Sequence, residues 1–119
     1  MTRLVSIDDL GRLLPEGAGA RLYNANGRPL PILVRRAPEG WLAEAPLSEL
    51  REWCRESGCP ERLTALRCDA VAVRAKSPRE AAETLWRVLG MLEIALLPPV
   101  AAAARTSAHA RAGVWRQEE

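Results

Sequence analysis

"ILVRRAPEGWLAEAP", Ile32 to Pro46, is the stretch whose reading decides the fold. Two apolar-rich runs of strand length flank Pro38-Glu39-Gly40, and a glycine in that place lets two antiparallel strands join through a tight connection. Read as a three-residue loop, it sets Ala37 opposite Trp41 and Leu33 opposite Ala45. One side of the ribbon then holds Leu33, Arg35, Trp41, Ala43 and Ala45, and the other Ile32, Val34, Arg36, Leu42 and Glu44. Neither side is wholly polar, as expected of a sheet covered by a helix on one face and in part on the other.

Toward the N-terminus, Pro29 and Pro31 have no N–H to give to a ladder, so the segment is expected to begin at a sheet edge or outside the sheet. Asn26-Gly27 marks a tight turn, preceded by a short strand around Arg21–Ala25. Further back, Ser6 is placed to cap a short helix over Ile7–Leu14. Asp8 and Asp9 stand in its first turn, where the helix dipole favours acids, and Pro15 ends it.

Toward the C-terminus, "LSELREWCRESG" predicts a middle helix from Leu47 to Gly58, with Ser48 as cap and an apolar stripe of Leu47, Leu50, Trp53 and Cys54. Val71 and Val73 share one face of the next strand. In "SPREAAETLWRVLGMLEIALLPP", Ser77 to Pro99, a cap serine, a proline at the first helical position and Glu80 three residues after the cap form an N-terminal signature. Pro98-Pro99 is the next strong stop, which predicts a helix of about five turns over Pro78–Leu97. Residues 98–119 read as a tail, partly helical through its alanine run or frayed.

That long helix is apolar on two sides. Ala81, Ala82, Leu85, Val88, Leu89, Leu92, Ala95 and Leu96 fall in one arc and are assigned to the core. Trp86, Gly90 and Leu97, with Ile94 and Met91 near them, fall in a second stripe, where an ordinary surface helix has polar residues. The stripe, with Trp115 of the tail, is the candidate partner interface, covered either by the chain's own tail or by a second copy in a homodimer.

Other groups carry weaker signals. Trp41, Trp53 and Cys68 are candidates for a pocket between sheet and helices, and Arg35-Arg36 for an anion contact. Cys54, Cys59 and Cys68 are odd in number, and only Cys54 and Cys59 stand close in sequence. This is no disulfide framework and no zinc spacing, so no metal is expected. The single histidine, His109, lies among alanines of the tail. No phosphate loop, nucleophile elbow or dinucleotide fingerprint occurs, and neither a catalytic residue nor a cofactor is assigned.

The chain has 119 residues, enough for one α+β domain spanning 1–119 and not for two cores. The net charge is +2, and Lys76 is the only lysine among seventeen basic residues. The arginines are interleaved with acids, so no nucleic-acid partner is expected beyond weak binding through them. No run is long and apolar enough to span a bilayer and "MTRLVSIDDL" is no export signal, so a cytoplasmic location is expected.

Ile32–Pro46, with its "PEGW" turn and "LAEAP" strand, and Asp69–Leu97, with "SPREAAETLWRVL", together resemble the small β-β-β-α domain of HicB-type antitoxins and their orphan relatives. The resemblance implies an α+β sandwich, a dimer, and protein binding without catalysis. It covers under half the chain, and no functional residue of that family maps here. The middle helix stands where that family has a short loop, and the C-terminus is short for a DNA-binding module.

The expected architecture is therefore an antiparallel sheet of three to five strands, a long helix across it, and short N-terminal and middle helices. The leading expectation for function is a non-enzymatic interaction or regulatory protein that forms a homo-oligomer. The alternatives are a small-molecule-binding domain and a weak nucleic-acid binder.

Overall fold

The structure, a computed structural model, describes residues 3–56 and 58–104. In chain order its elements are β1 (Arg3–Ser6), a 3-10 turn (Ile7–Asp9) running into α1 (Leu10–Leu13), β2 (Gly19–Asn24), β3 (Pro29–Ala37), β4 (Gly40–Pro46), α2 (Leu47–Trp53), α3 (Glu61–Thr64), β5 (Ala70–Ala75), α4 (Pro78–Met91) and β6 (Pro99–Ala104). The strands form one antiparallel sheet in the order β1-β6-β2-β3-β4-β5. The fold is α+β as expected, with six strands in place of three to five.

The hairpin forms where it was expected, one residue out of register. Ala37 pairs with Gly40, Arg36 with Trp41, Val34 with Ala43 and Leu33 with Glu44, so the connection is the two residues Pro38-Glu39. A slip of one residue moves every side chain of one strand to the other face. Ile32 and Val34 therefore share the core face with Trp41, Ala43 and Ala45, all of them buried. Leu33 and Arg35 share the outer face with Leu42 and Glu44, so the mixed faces of the sequence reading resolve into an apolar side that ends with Arg36 opposite Trp41 and an amphipathic one. Gly40 is required for a different reason than a left-handed loop residue. Its φ is +147°, and a Cβ there would stand 2.7 Å from the Ala75 carbonyl oxygen of β5.

Both prolines of β3 sit inside the sheet order, at a place where the ladder is broken. The β2–β3 register shifts between Arg21 and Tyr23, and the paired stretch of β3 with β4 begins only at Leu33. Pro29 opens the strand and Pro31 lies in the irregular stretch, so neither removes a regular ladder bond. Asn24 fixes the turn before them: its Oδ1 accepts from the N–H groups of Asn26 (2.9 Å) and Arg28 (3.1 Å).

The tail expectation is overturned in part. Pro99–Ala104, inside the segment read as partly helical or frayed, is β6, hydrogen-bonded between β1 and β2. Leu22 faces Ala102 and Ala102 faces Val5, and Ala102 is fully buried. Alanines fit beneath the 3-10 turn and α1, whose Ile7 and Leu10 are also buried, and that packing overrides their helix propensity. Residues 105–119, with His109 and Trp115, lie outside the described residues.

α4 crosses the core face and buries Ala81, Ala82, Leu85 and Leu89. It starts as expected: Ser77 Oγ accepts from Glu80 N–H (3.1 Å), while the Glu80 carboxylate accepts from Lys76 N–H (3.4 Å). It ends at Met91, six residues before the predicted Leu97. Glu93 N–H donates to Gly90 O and Ile94 N–H donates to Leu89 O, with Glu93 at φ +67°. This is a Schellman cap with glutamate where glycine is usual, and it turns Ile94 inward. An L-residue in the left-handed region costs about 1–2 kcal/mol. Glu93→Gly is expected to raise stability by about 1 kcal/mol, read as a higher urea midpoint at unchanged m-value. An unchanged or lower midpoint counts against this cap.

The middle helix is likewise shorter than read. Pro46, and not Ser48, occupies the cap position, and the helix ends at Trp53. Its stripe is as expected, with Leu47, Leu50 and Cys54 buried and Trp53 partly so.

Candidate functional site

The predicted interface stripe lies at the C-terminal end of α4, and the early helix stop divides it. Ile94 is 2% exposed and belongs to the core, so it is no surface residue. Trp86 is half-buried because residues 94–97 double back beside the helix: its Nε1–H donates to Leu96 O at 3.0 Å. Trp53 of α2 holds the preceding carbonyl, its Nε1–H donating to Ala95 O at 3.2 Å. Arg62 of α3 donates to Met91 O at 3.0 Å, which satisfies a carbonyl at the helix end. Two tryptophans and an arginine from three elements thus clamp the α4–β6 connection. Part of the stripe is covered by this chain's own backbone, through contacts no local sequence pattern announces.

What stays open is an apolar groove of about 550 Å³ beside that connection. Trp86, Gly90, Met91, Ala95 and Leu96 line it, with Arg87 and Glu93 at its edges. Met91 is 69% exposed, Leu97 is 49% exposed, and nothing stands within 4 Å of where a Cβ on Gly90 would be. Trp115, the last of the predicted interface residues, is outside the described chain.

The predicted pocket does not assemble. Trp41 is in the core, Cys68 is exposed, and only Trp53 lines a larger groove of about 820 Å³ between the β2–β3 irregularity and α2. That groove is half apolar, with Pro29, Leu30 and Pro31 beside Trp53, and mixed in charge, with Arg21, Arg28, Glu49 and Glu56. The Arg28 guanidinium lies over the Trp53 ring, 5.3 Å from its centroid. Arg21 is tied to Glu49 at 2.7 and 3.2 Å and to Leu30 O at 3.0 Å, joining the outer sheet face to α2. These residues are 28 apart in sequence, and no periodicity links them.

The predicted anion pair is engaged within the chain. Arg35 pairs with Glu44 across the hairpin. Arg36 donates to the Gly11 and Leu14 carbonyls at 3.0 Å each, closing the C-terminal end of α1, and its guanidinium lies 5.5 Å from the Trp41 ring centroid. A further pair joins the 3-10 turn to α4: Arg79 donates to both Asp8 carboxylate oxygens at 2.8 and 3.0 Å. That hydrogen bonding holds the Asp8 carboxyl below the usual range.

Cys54 is buried at the end of α2, and Cys59 and Cys68 are exposed. Among the described residues no group of three His, Cys, Asp or Glu could hold a metal ion, and no helix is long and apolar enough to cross a membrane. Comparison with known protein families, curated proteins and solved structures matches this chain to none of them.

Proposed function

We propose that this chain is a small non-enzymatic interaction protein that self-associates through the groove at the end of α4. The observation that carries the reading is Gly90. Gly90 stands in the last turn of α4, where alanine favours the helix more than glycine does, and no neighbour in the described chain requires glycine there. A second helix crossing at close range does require it, because a bare backbone lets two helix axes approach. The exposed Met91 beside it supplies an adaptable apolar contact.

The groove's edges favour a second copy over an unrelated occupant. Arg87, three residues before Gly90 on α4, and Glu93, just past the helix end, both line the groove and carry opposite charges. A twofold contact there would pair Arg87 of one protomer with Glu93 of its partner, twice. The resemblance to HicB-type antitoxins implies a role of the same kind, a dimer that binds protein.

Size-exclusion chromatography with light scattering tests the reading. The expected mass at high micromolar concentration is twice the 13.1 kDa of one chain. Gly90→Arg is expected to give monomer with undiminished thermal stability. Arg87→Glu and Glu93→Arg are each expected to weaken association by about tenfold, and the double reversal to recover it. A strict monomer at that concentration sinks the proposal, and a dimer indifferent to all three changes moves the contact elsewhere.

A further inference from the structure

Cys54 and Cys59 are brought together by a reversal of the chain after α2. Cys54 N–H donates to Leu50 O at 3.0 Å, continuing the last helical turn, and its side chain is 4% exposed. The chain then turns back through Gly58 at φ +85°. Cys59 Sγ thereby comes to 3.8 Å from Arg51 O, a carbonyl of that same last turn. An exposed thiol thus lies against the turn that carries a buried one, near enough to act on it electrostatically. Burial, and then Cys59, push the Cys54 thiol up, so Cys54 stays protonated while Cys59 meets solvent.

We propose that Cys54 and Cys59 form a redox-active dithiol that closes to a disulfide when hydrogen peroxide reaches Cys59. The Cys59 thiolate attacks one peroxide oxygen; an S–O bond forms, the O–O bond breaks, and the leaving hydroxide takes a proton to become water. The product is a sulfenic acid at Cys59. The Cys54 sulfur then attacks the Cys59 sulfur; the S–S bond forms, the S–O bond breaks, and the departing hydroxide takes the Cys54 proton. Two thiols and one peroxide give one disulfide and two waters, with two electrons passing from sulfur to oxygen. Cys59 is the attacking residue because it is exposed, and Cys54 resolves the intermediate because it lies against it. The bond would fasten the end of α2 to the segment entering α3. Through Trp53 it would reach the clamped α4–β6 connection.

The full chain treated with hydrogen peroxide and digested with trypsin without reduction gives the test. Cleavage after Arg55 separates the two cysteines, so the disulfide is read as Glu52–Arg55 joined to Glu56–Arg62. This linked pair is the expected product, formed at a rate independent of protein concentration and retained in Cys68→Ser. In Cys54→Ser the reaction is expected to stop at a sulfenic acid on Cys59 that dimedone traps. In Cys59→Ser, a surface change that spares the core, Cys54 is expected to remain a thiol. Linkage of Cys59 to Cys68, linkage between chains, or overoxidation of Cys59 beside an intact Cys54 thiol in the unmodified protein overturns the assignment.

Discussion

Gly40→Ala is expected to lower stability by about 3 kcal/mol, a fall of roughly 12 °C in unfolding temperature for a chain of this size. Two costs add. The backbone at φ +147° is a conformation that side-chain-bearing residues rarely adopt. The new methyl would also stand 2.7 Å from the Ala75 carbonyl oxygen, a backbone atom of a paired strand that has no rotamer to give way. Relief would require β5 to move off β4 at the Trp41–Ala75 pair. Gly27→Ala separates the two costs. Gly27 is also at positive φ, +76°, but nothing stands within 4 Å of a Cβ there, so the loss should be about 1 kcal/mol. Equal losses at the two sites in thermal unfolding would show that the contact with Ala75 contributes nothing.

The second large effect concerns Ile94. Ile94→Ala is expected to destabilise the monomer by about 2–5 kcal/mol, because it deletes three carbons of a side chain that is 2% exposed and leaves a cavity. Denaturant unfolding over a range of protein concentrations measures it. A loss of this size at every concentration places Ile94 in the core. A loss that appears only where the protein associates would return it to the partner surface where the helical pattern had put it.

Local signals found the beginnings of elements better than their ends. Ser6 and Ser77 are caps where the sequence has them, since a cap is made by residues adjacent in the chain. The stop of α4 was hidden because Glu93, which has no conformational bias toward a left-handed φ, takes a place that glycine usually marks. The proline pair five and six residues after Glu93 was the visible signal, and it marks the start of β6. The hairpin's register turned on whether Gly40 belongs to the loop or to the strand, and the answer lies in Ala75, thirty-five residues away. The alanines of β6 read as helical because alanine intrinsically is; only the slot between β1 and β2 makes them a strand.

The candidate site was legible to the same degree. Gly90 and Trp86 were identified by helical spacing alone. Their environment was not, because the Trp53 and Trp86 clamps act on a segment whose path depends on the Glu93 turn. Trp53, read as pocket, and Trp86, read as interface, both hold that connection, and the exposed remainder of the stripe is smaller and placed nearer the helix end.

The position of β6 has a consequence for the order of events during synthesis. β1 is made early, yet its sheet partner is β6, separated from it by most of the described chain. Until residue 104 is available, β1 has no neighbour and β2 presents a bare edge. The β3–β4–β5 unit and α4 can come together meanwhile, because all of their partners in it have already been made. Insertion of β6 then closes the longest loop in the molecule and seals both edges in one step, which makes it the natural slow phase of folding. A nascent chain stalled before Pro99 carries an unpaired strand and an open seam, the kind of surface that chaperones and other sheet edges bind.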